Sequence, residues 1–282
     1  MGTVEVRPLR NRREQKVFIE FPWRIYRDDP IWVPPLLPER KKMLDPERGS
    51  FFLHGRLECA VAWRGSQPVG TICACEDYQL NEGRGQKDCV FGFFECIDDE
   101  FVARALFDYA RDWAGQRGLT ALYGPFNLDY EDGYGILIEG RDRPPAILCG
   151  HTPPYYQRLV ESYGFEPARG DNLAFGMELV ETEQMRALQA MAERVRQRRA
   201  YTVRTGRVEE WEAEIDRIHP LINAALAHLP DHRPWPRETL QNLFAPFKKL
   251  ADPDLILFVE DGGRTIGFFP GLPNFNEIVI HA

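Results

Sequence analysis

Residues 89–97 (CVFGFFECI) are apolar on both faces of an extended chain, and no other segment constrains the fold as strongly. A strand with two apolar faces is buried on both sides, so it lies inside a sheet that other elements cover. Asp98 and Asp99 follow at once, and aspartate is a typical helix N-cap. Residues 99–117 then carry apolar side chains at helical spacing, up to Gly118. The sequence therefore predicts a central strand followed directly by an amphipathic helix.

Two strand-like runs precede the central strand, at residues 57–64 and 67–76. Only a Gly-Ser pair separates them, which favours a β-hairpin. Later runs predict a helix at 153–163 and a strand at 172–180. Together these patterns predict an α/β (α+β) fold, in which a mixed β-sheet is flanked by helices.

The order strand, helix, short helix, hairpin occurs twice along the chain, at residues 4–76 and again at 201–269. At about 150 residues per domain, a chain of 282 residues accommodates two such units. We therefore predict a first domain at 1–180, a linker helix at 181–200 and an incomplete second unit at 201–282.

Charge and hydropathy argue against two classes of protein. The formal net charge is −8, so the chain lacks the basic field with which nucleic-acid-binding proteins displace counterions. No run approaches the roughly 18 apolar residues of a membrane-spanning helix, and the N-terminal residues do not resemble an export signal. We expect a cytoplasmic protein with reduced cysteines and no metal site, because no cysteine pair has Cys-x-x-Cys spacing.

Three local motifs point to a family: DPIWVPPL at 29–36, GPFNLDYEDGYGILIEG at 124–140 and HTPPYYQRLVESYGF at 151–165. With the element order, they resemble a bacterial group within the GNAT acyltransferase superfamily, some of whose relatives are implicated in sphingolipid N-acylation. The resemblance covers residues 4–180 as one nearly complete unit and 201–269 as the front half of a second. It implies acetyl-CoA or a longer acyl-CoA as donor, and a small-molecule amine or amino-lipid as acceptor.

The sequence departs from the family pattern where the diphosphate of CoA is expected to bind. Members of the superfamily place it at the N-terminus of the helix after the central strand, in an Arg/Gln-x-x-Gly-x-Gly/Ala segment. Here that helix begins with Asp98, Asp99 and Glu100, three carboxylates that repel a diphosphate, and no glycine pair follows. We therefore predict that the first unit is degenerate for CoA, and we assign no CoA-binding residues. By residue 282 the second unit has not reached a central strand or a Gly-rich loop.

The resemblance also implies a catalytic tyrosine on the helix that precedes a Gly-Phe pair, where it protonates the leaving thiolate. The usual position, four residues before the glycine, is Val160 in this chain. Tyr156 lies one helical turn earlier and is our candidate. The alternative is that Tyr155 and Tyr156 pack through their rings and leave their hydroxyls at the surface.

A polar, acidic stretch lies between the sheet strands and the tyrosine helix. We predict Glu139 as a catalytic residue, and Asn127, Asp129 and His151 as substrate-binding residues. Polar side chains grouped beside the family motifs are suited to recognising an amine or supplying a base. The alternative is an ordered acidic loop built around a turn.

The predicted function is the transfer of an acyl group from acyl-CoA to an amine, with the first unit binding substrate or serving as a structural partner. The competing hypothesis is a non-catalytic GNAT-fold binding or interaction module, since neither unit shows a recognisable diphosphate loop. The second unit ends on an open hairpin edge, which further predicts a homodimer through that unit.

Overall fold

The computed structural model describes residues 2–128, 135–146, 149–168, 170–178, 180–199, 201–228, 234–249 and 251–280. They belong to two compact units, one within residues 1–174 and 275–282 and the other within 175–274. Each unit has its own sheet and its own buried core. Within the described ranges, no helix combines the length and apolarity that crossing a bilayer requires.

The first unit is a mixed sheet flanked by helices. Its strands are β1 (Val4–Pro8), β2 (Gly55–Arg64), β3 (Gln67–Asp77), β4 (Asp88–Cys96) and β5 (Ala121–Tyr123). Its helices up to residue 174 are α1 (Arg12–Glu20), α2 (Pro22–Ile25), α3 (Leu37–Met43), α4 (Tyr78–Arg84), α5 (Glu100–Gly115) and α6 (Tyr155–Tyr163). The strand order is β1-β2-β3-β4-β5, with β4 and β5 parallel and the other neighbours antiparallel. The predicted fold class is therefore confirmed.

The central strand and the helix after it form as the sequence predicts. Strand β4 lies between β3 and β5, and Asp99 caps α5 by accepting hydrogen bonds from two N–H groups of the first turn. The strand predicted at 172–180 is wrong for its described residues 172–178 and 180, which form neither strand nor helix. Phe175 is 92% exposed there. A strand needs a neighbouring strand with which its backbone N–H and C=O groups form hydrogen bonds. Alternating apolar side chains do not by themselves provide that neighbour.

A β-bulge interrupts the pairing of β4 with β3. Thr71 pairs with Glu95, but Cys73 pairs with Gly92, so two residues of β4 stand opposite Ile72 alone. Such a bulge inserts one extra residue and changes where the following side chains point.

The bulge resets the alternation of β4 between the two faces of the sheet. Phe91 packs in the core on the α5 side, and so does Phe94, which follows it by three residues rather than two. Val90 and Phe93 pack in the opposite core, which contains side chains of α1. Because successive strand residues point to opposite faces, Glu95 lies on the face opposite Phe94.

The backbone after β5 fixes the bulge. Phe93 adopts a left-handed conformation, with φ of 46°, and its N–H donates to Oδ1 of Asn127 at 2.8 Å. The N–H of Phe126 donates to the carbonyl of Phe91 at 2.9 Å. A Cβ atom at Gly92 would lie 1.5 Å from the carbonyl oxygen of Phe126. Only glycine allows the two backbones to approach this closely.

The second unit repeats the early part of this arrangement. It contains α7 (Glu183–Arg199), β6 (Thr202–Thr205), α8 (Trp211–Leu226), α9 (Arg237–Phe244), β7 (Ile256–Asp261) and β8 (Arg264–Pro270), while α10 (Asn276–Val279) belongs to the first unit. Its antiparallel sheet has the order β6-β7-β8. Its core contains Trp211, Ile215, Ile218, Leu240 and Phe258.

A buried ion-pair network ties β6 to α8 and β7 in this unit. Glu214 is 5% exposed and receives a bidentate pair of hydrogen bonds from Arg204, at 2.8 and 3.0 Å. Arg204 also donates to Glu260 at 2.7 Å. A buried carboxylate needs such partners, because an unpaired charge in the core is strongly destabilising.

We expect Gly92→Ala to lower the free energy of unfolding by about 3 kcal/mol, because the new Cβ must displace the backbone at Phe126. Urea unfolding followed by circular dichroism measures the loss. Gly115→Ala is the matched control, since a Cβ there meets no atom within 4 Å and lies in helix α5. The control is expected to be neutral or to gain up to about 1 kcal/mol. Equal effects of the two substitutions would contradict the close approach.

Candidate active site

Polar contacts of the first unit converge on Glu95, near the end of β4. The hydroxyl of Tyr156 donates to its carboxylate at 2.6 Å, and the hydroxyl of Tyr26 is a second hydrogen-bond partner. Burial disfavours the ionised form and raises the pKa of Glu95 to about 7, although the two tyrosines and the charge of Arg40 lower it. Glu95 keeps part of its surface exposed. A glutamate that is not fully buried and titrates near neutral pH can exchange a proton with a ligand.

Tyr156 reaches Glu95 from the opposite side of the sheet. Its ring lies 5.1 Å from that of Phe94, in the core on the α5 side, and the residue is 1% exposed. Its hydroxyl also accepts a hydrogen bond from the N–H of Cys96 at 2.8 Å. Burial and the charge of Glu95 raise the pKa of Tyr156 well above its usual value, so this hydroxyl stays protonated. The predicted candidate Tyr156 thus has a buried hydroxyl on a carboxylate, not one at the surface.

Tyr155, its neighbour on α6, binds a different group. The hydroxyl of Tyr155 donates to the carbonyl oxygen of Cys96 at 2.8 Å. The two tyrosines therefore hold the N–H and the C=O of one residue at the end of β4. This double attachment fixes the last residue of the strand against α6 and keeps the Glu95 carboxylate beside Tyr156.

Aromatic side chains line the other side of Glu95. Tyr26 is buried, and its ring stacks on that of Trp32 with centroids 4.8 Å apart and planes 7° apart. The ring of Trp23 meets Trp32 edge-on at 5.3 Å. Burial, with the charge of Glu95, raises the pKa of Tyr26 well above its usual value. Trp23 and Trp32 are partly exposed, and they are connected to the carboxyl through the buried ring of Tyr26.

His151 joins this group through Asp29 and Tyr26. Its Nε2 lies 2.7 Å from Oδ2 of Asp29, and its carbonyl oxygen accepts from the hydroxyl of Tyr26 at 3.2 Å. The His151 side chain is only 5% exposed. Asp29 belongs to the DPIWVPPL motif and His151 begins the HTPPYY motif, so the fold brings two distant family motifs into contact.

The other predicted residues lie elsewhere. Asn127 accepts from the N–H of Phe93 and so holds the bulge. Glu139 is exposed and makes none of the hydrogen bonds described around Glu95. Asp129 lies outside the described residues. The roles predicted for these three residues stay predictions.

Sequence reasoning missed Glu95, Tyr26 and Asp29. One signal for Glu95 was present, since it is the single charged residue within the apolar run CVFGFFECI. A carboxylate inside a buried strand is rare unless it is paired or functional. Tyr26 and Asp29 carried no such signal, because their partners lie more than a hundred residues away or on another strand.

Three carboxylates lie at the start of α5, as the sequence predicts, and they belong to Asp98, Asp99 and Glu100. Asp99 caps the helix and receives a hydrogen bond from Arg64 at 2.7 Å. Partial burial raises the pKa of Asp99, but Arg64 and the helix N–H groups outweigh it and hold it below the usual range. Arg158 binds both Asp98 and Glu100. The helix N–H groups and the nearby arginines thus already have anionic partners, and these residues do not fit a diphosphate.

The chain is similar to two bacterial proteins over almost its whole length. Protein YghO of Escherichia coli is 31% identical over 274 residues, covering 97% of this chain and 69% of that protein. The bacterial ceramide synthase of Caulobacter vibrioides is 32% identical over 283 residues, covering 98% of this chain and 71% of that protein. No protein-family model matches the chain.

Two solved structures show weaker similarity. An aminoglycoside acetyltransferase from a soil metagenome has a TM-score of 0.35 and 9% identity, and covers 63% of this chain and 97% of its own. FeeM, an N-acyl amino acid synthase from uncultured soil microbes, has a TM-score of 0.28 and 16% identity, and covers 43% of this chain and 70% of its own.

The name of the ceramide synthase agrees with the predicted resemblance to a bacterial group with relatives implicated in sphingolipid N-acylation. At 31% and 32% identity across nearly all of its length, the chain belongs to the family that contains the bacterial ceramide synthase of Caulobacter vibrioides and protein YghO of Escherichia coli.

Proposed function

We propose that the chain is an N-acyltransferase whose first unit binds an amine and removes its proton with Glu95. The observation that carries this proposal is a glutamate of intermediate exposure with a pKa near 7, whose carboxyl contacts two tyrosines, one of them stacked on Trp32. Membership in a family that contains a ceramide synthase supports the same reaction class.

The chemistry requires a base, because an amine attacks a thioester only through its free lone pair. An alkylammonium has a pKa near about 10, so the nitrogen arrives protonated at neutral pH. The ionised Glu95 pairs with that ammonium and takes one proton from it, which frees the lone pair. The nitrogen then bonds to the acyl carbon, the C–S bond breaks, and the second proton that the nitrogen loses goes to the leaving CoA thiolate. Tyr156 stays protonated and orients the carboxylate through its hydrogen bond.

The acyl donor that we propose is acetyl-CoA or a longer acyl-CoA, and the acceptor is a small-molecule amine or amino-lipid. The carboxylates at the start of α5 are already paired with Arg64 and Arg158, so we assign no donor site to this helix. In this proposal the first unit is degenerate for CoA and contributes the acceptor site.

The same carboxylates favour the second candidate function, a non-catalytic binding or interaction module. Both candidates include an amine or partner site in the first unit, and they differ in whether Glu95 accelerates a reaction. We also retain three finer proposals: cytoplasmic location, a homodimer through the second unit, and the division into domains at 1–180 and 201–282 with a linker helix between them.

We expect Glu95→Gln to lower kcat/KM for acyl transfer to amines by about a hundredfold or more, because the base is removed. The wild-type pH profile of kcat/KM should bend near pH 7, where Glu95 ionises, and the variant should lack this bend. Steady-state assays with acetyl-CoA and a long-chain acyl-CoA measure both effects.

Two further variants separate the possible bases. Glu161→Gln changes an exposed carboxylate on α6 and should leave the rate unchanged. A larger loss of kcat/KM in Glu139→Gln than in Glu95→Gln would identify Glu139, the residue predicted from the sequence, as the base. Wild-type protein without acyl transfer to any amine would favour the non-catalytic module.

A second expectation for Glu95 needs no substrate. Its folded-state pKa of about 7 exceeds the usual value of 4.5, so folding favours the protonated form. Wild-type stability should therefore fall, relative to Glu95→Gln, as pH rises through the interval between those values, by up to about 3 kcal/mol. Urea unfolding of both proteins at about pH 4 and pH 8 measures this difference. A pH-independent difference would contradict the raised pKa.

We expect Tyr156→Phe to raise the pKa of Glu95 further, because the hydrogen bond from Tyr156 lowers it. The bend in the kcat/KM profile, or the midpoint of the stability difference, should move upward by about one pH unit. Tyr155→Phe is the matched comparison, since that hydroxyl donates to a backbone carbonyl. It should leave the midpoint in place, and an equal shift in both variants would argue against a specific effect of Tyr156.

A further inference from the structure

Helix α7 of the second unit carries an apolar strip, formed by Leu188, Met191 and Val195, that no described residue covers. The three residues follow one another at spacings of three and four, so they share one face of the helix. Their exposed fractions are 58%, 56% and 45%. No residue of α7 is buried, and none of the three belongs to the described core of the unit. Helices in folded proteins gain most of their stability by packing such a face, so this strip needs a partner.

Large apolar side chains are also exposed just before the helix. Phe175 is 92% exposed, Met177 is 72% exposed and Val180 is 54% exposed, and these residues form neither strand nor helix. Exposed apolar side chains that are concentrated in one stretch mark an interaction site, whereas single scattered ones do not. We therefore expect the partner of α7 to accept apolar groups.

The charge of α7 indicates the kind of partner. The helix contains five arginines and two glutamates, a net charge of +3, within a chain whose net charge is −8. Helical spacing places Arg194 and Arg198 along one side of the strip and Arg196 along the other. Arg199 follows Val195 by four residues and continues the strip. Arg198 and Arg199 have no ion-pair or side-chain hydrogen-bond partner among the residues that the structure describes.

We propose that α7 is a membrane-binding helix that lies on an anionic bilayer, with its apolar strip among the headgroups and its arginines on the lipid phosphates. An interfacial helix of this kind has one apolar face and is rich in Lys and Arg beside it. Arginine keeps its methylene groups in the apolar layer while its guanidinium binds a phosphate. The inference is independent of the proposed function, which concerns the first unit.

A second copy of the chain is the alternative occupant of the strip. Two helices that pair in parallel through this strip would bring the arginines beside it into contact with one another. Like charges at such flanking positions oppose pairing, whereas anionic headgroups attract them. The charge pattern therefore favours the bilayer.

Binding of the whole chain to lipid vesicles tests the proposal. Flotation should recover the protein with vesicles of phosphatidylcholine that contain about 30% phosphatidylglycerol, and at least about tenfold less with phosphatidylcholine alone. Binding should weaken as salt is added, because salt screens the arginines. The chain as a whole is negatively charged, so anionic vesicles repel it unless a local basic surface binds them. No binding to the anionic vesicles would overturn the proposal.

Two neutral substitutions test the apolar strip. Leu188→Gln should lower the affinity for anionic vesicles about tenfold, because it removes one of the inserted side chains. Ala190→Gln is the matched control, since Ala190 is exposed and points away from the strip. It should change the affinity less than about twofold. Equal losses in the two variants would overturn the proposal, and circular dichroism checks that both are folded.

Two further substitutions test the arginines, and each removes one positive charge. Arg198→Gln should lower the affinity about fivefold at low salt, because Arg198 lies beside the strip. Arg186 is exposed on the opposite face of α7, so Arg186→Gln should have an effect below about twofold. Equal losses would show that only the net charge matters and would overturn the assignment to this face.

Sedimentation velocity without lipid tests the alternative occupant. A monomer that binds anionic vesicles supports the proposal. A dimer that Leu188→Gln dissociates, together with no binding to vesicles, would assign the strip to a second copy and overturn the proposal.

Discussion

The site depends on one close approach between two backbones, that of β4 at Gly92 and that of Phe126 after β5. No Cβ fits between them, since it would lie 1.5 Å from the Phe126 carbonyl oxygen. At the bulge, the N–H of Phe93 is not part of the hydrogen-bond ladder of the sheet, and it donates to the side-chain oxygen of Asn127 instead. The bulge shifts by one residue the alternation of β4 side chains between the two faces of the sheet. Glu95 therefore lies on the face opposite Phe94, which packs in the core on the α5 side. A regular strand would place this carboxylate in the α5 core, away from Tyr26.

The end of β4 and the start of α5 place carboxylates in opposite environments. Glu95 is desolvated, which raises its pKa to about 7 even though Tyr156 donates a hydrogen bond to it. Asp99 receives hydrogen bonds from Arg64 and from helix N–H groups, which hold its pKa below the usual range. Such divergent environments give one carboxyl the capacity to exchange a proton and keep the other charged. The first serves the proposed acceptor chemistry, and the second occupies two N–H groups at the start of α5.

Much of the first unit could be predicted because its signals are local. The apolar run before Asp99, the Gly-Ser link and the caps of α5 each act within a few residues of the chain. The strand predicted at 172–180 lacks a partner, which no local pattern supplies. Of the predicted site residues, Tyr156 and His151 do lie in the Glu95 cluster, while Glu139 lies at the surface. Glu95 was missed because strand alternation without the bulge gives no reason to place residue 95 beside Tyr26.

The sequence by itself determined the element order up to α6, the mixed sheet and the family, because these follow from hydrophobic period, capping and motif. It also determined that carboxylates occupy the start of α5. Only the tertiary structure decided which polar groups meet. Tyr156 and Glu95 are 61 residues apart in the chain, and His151 and Asp29 are 122 apart. Desolvation and hydrogen bonding between such groups arise only when the sheet and its helices are packed, and together these two effects set the pKa of Glu95.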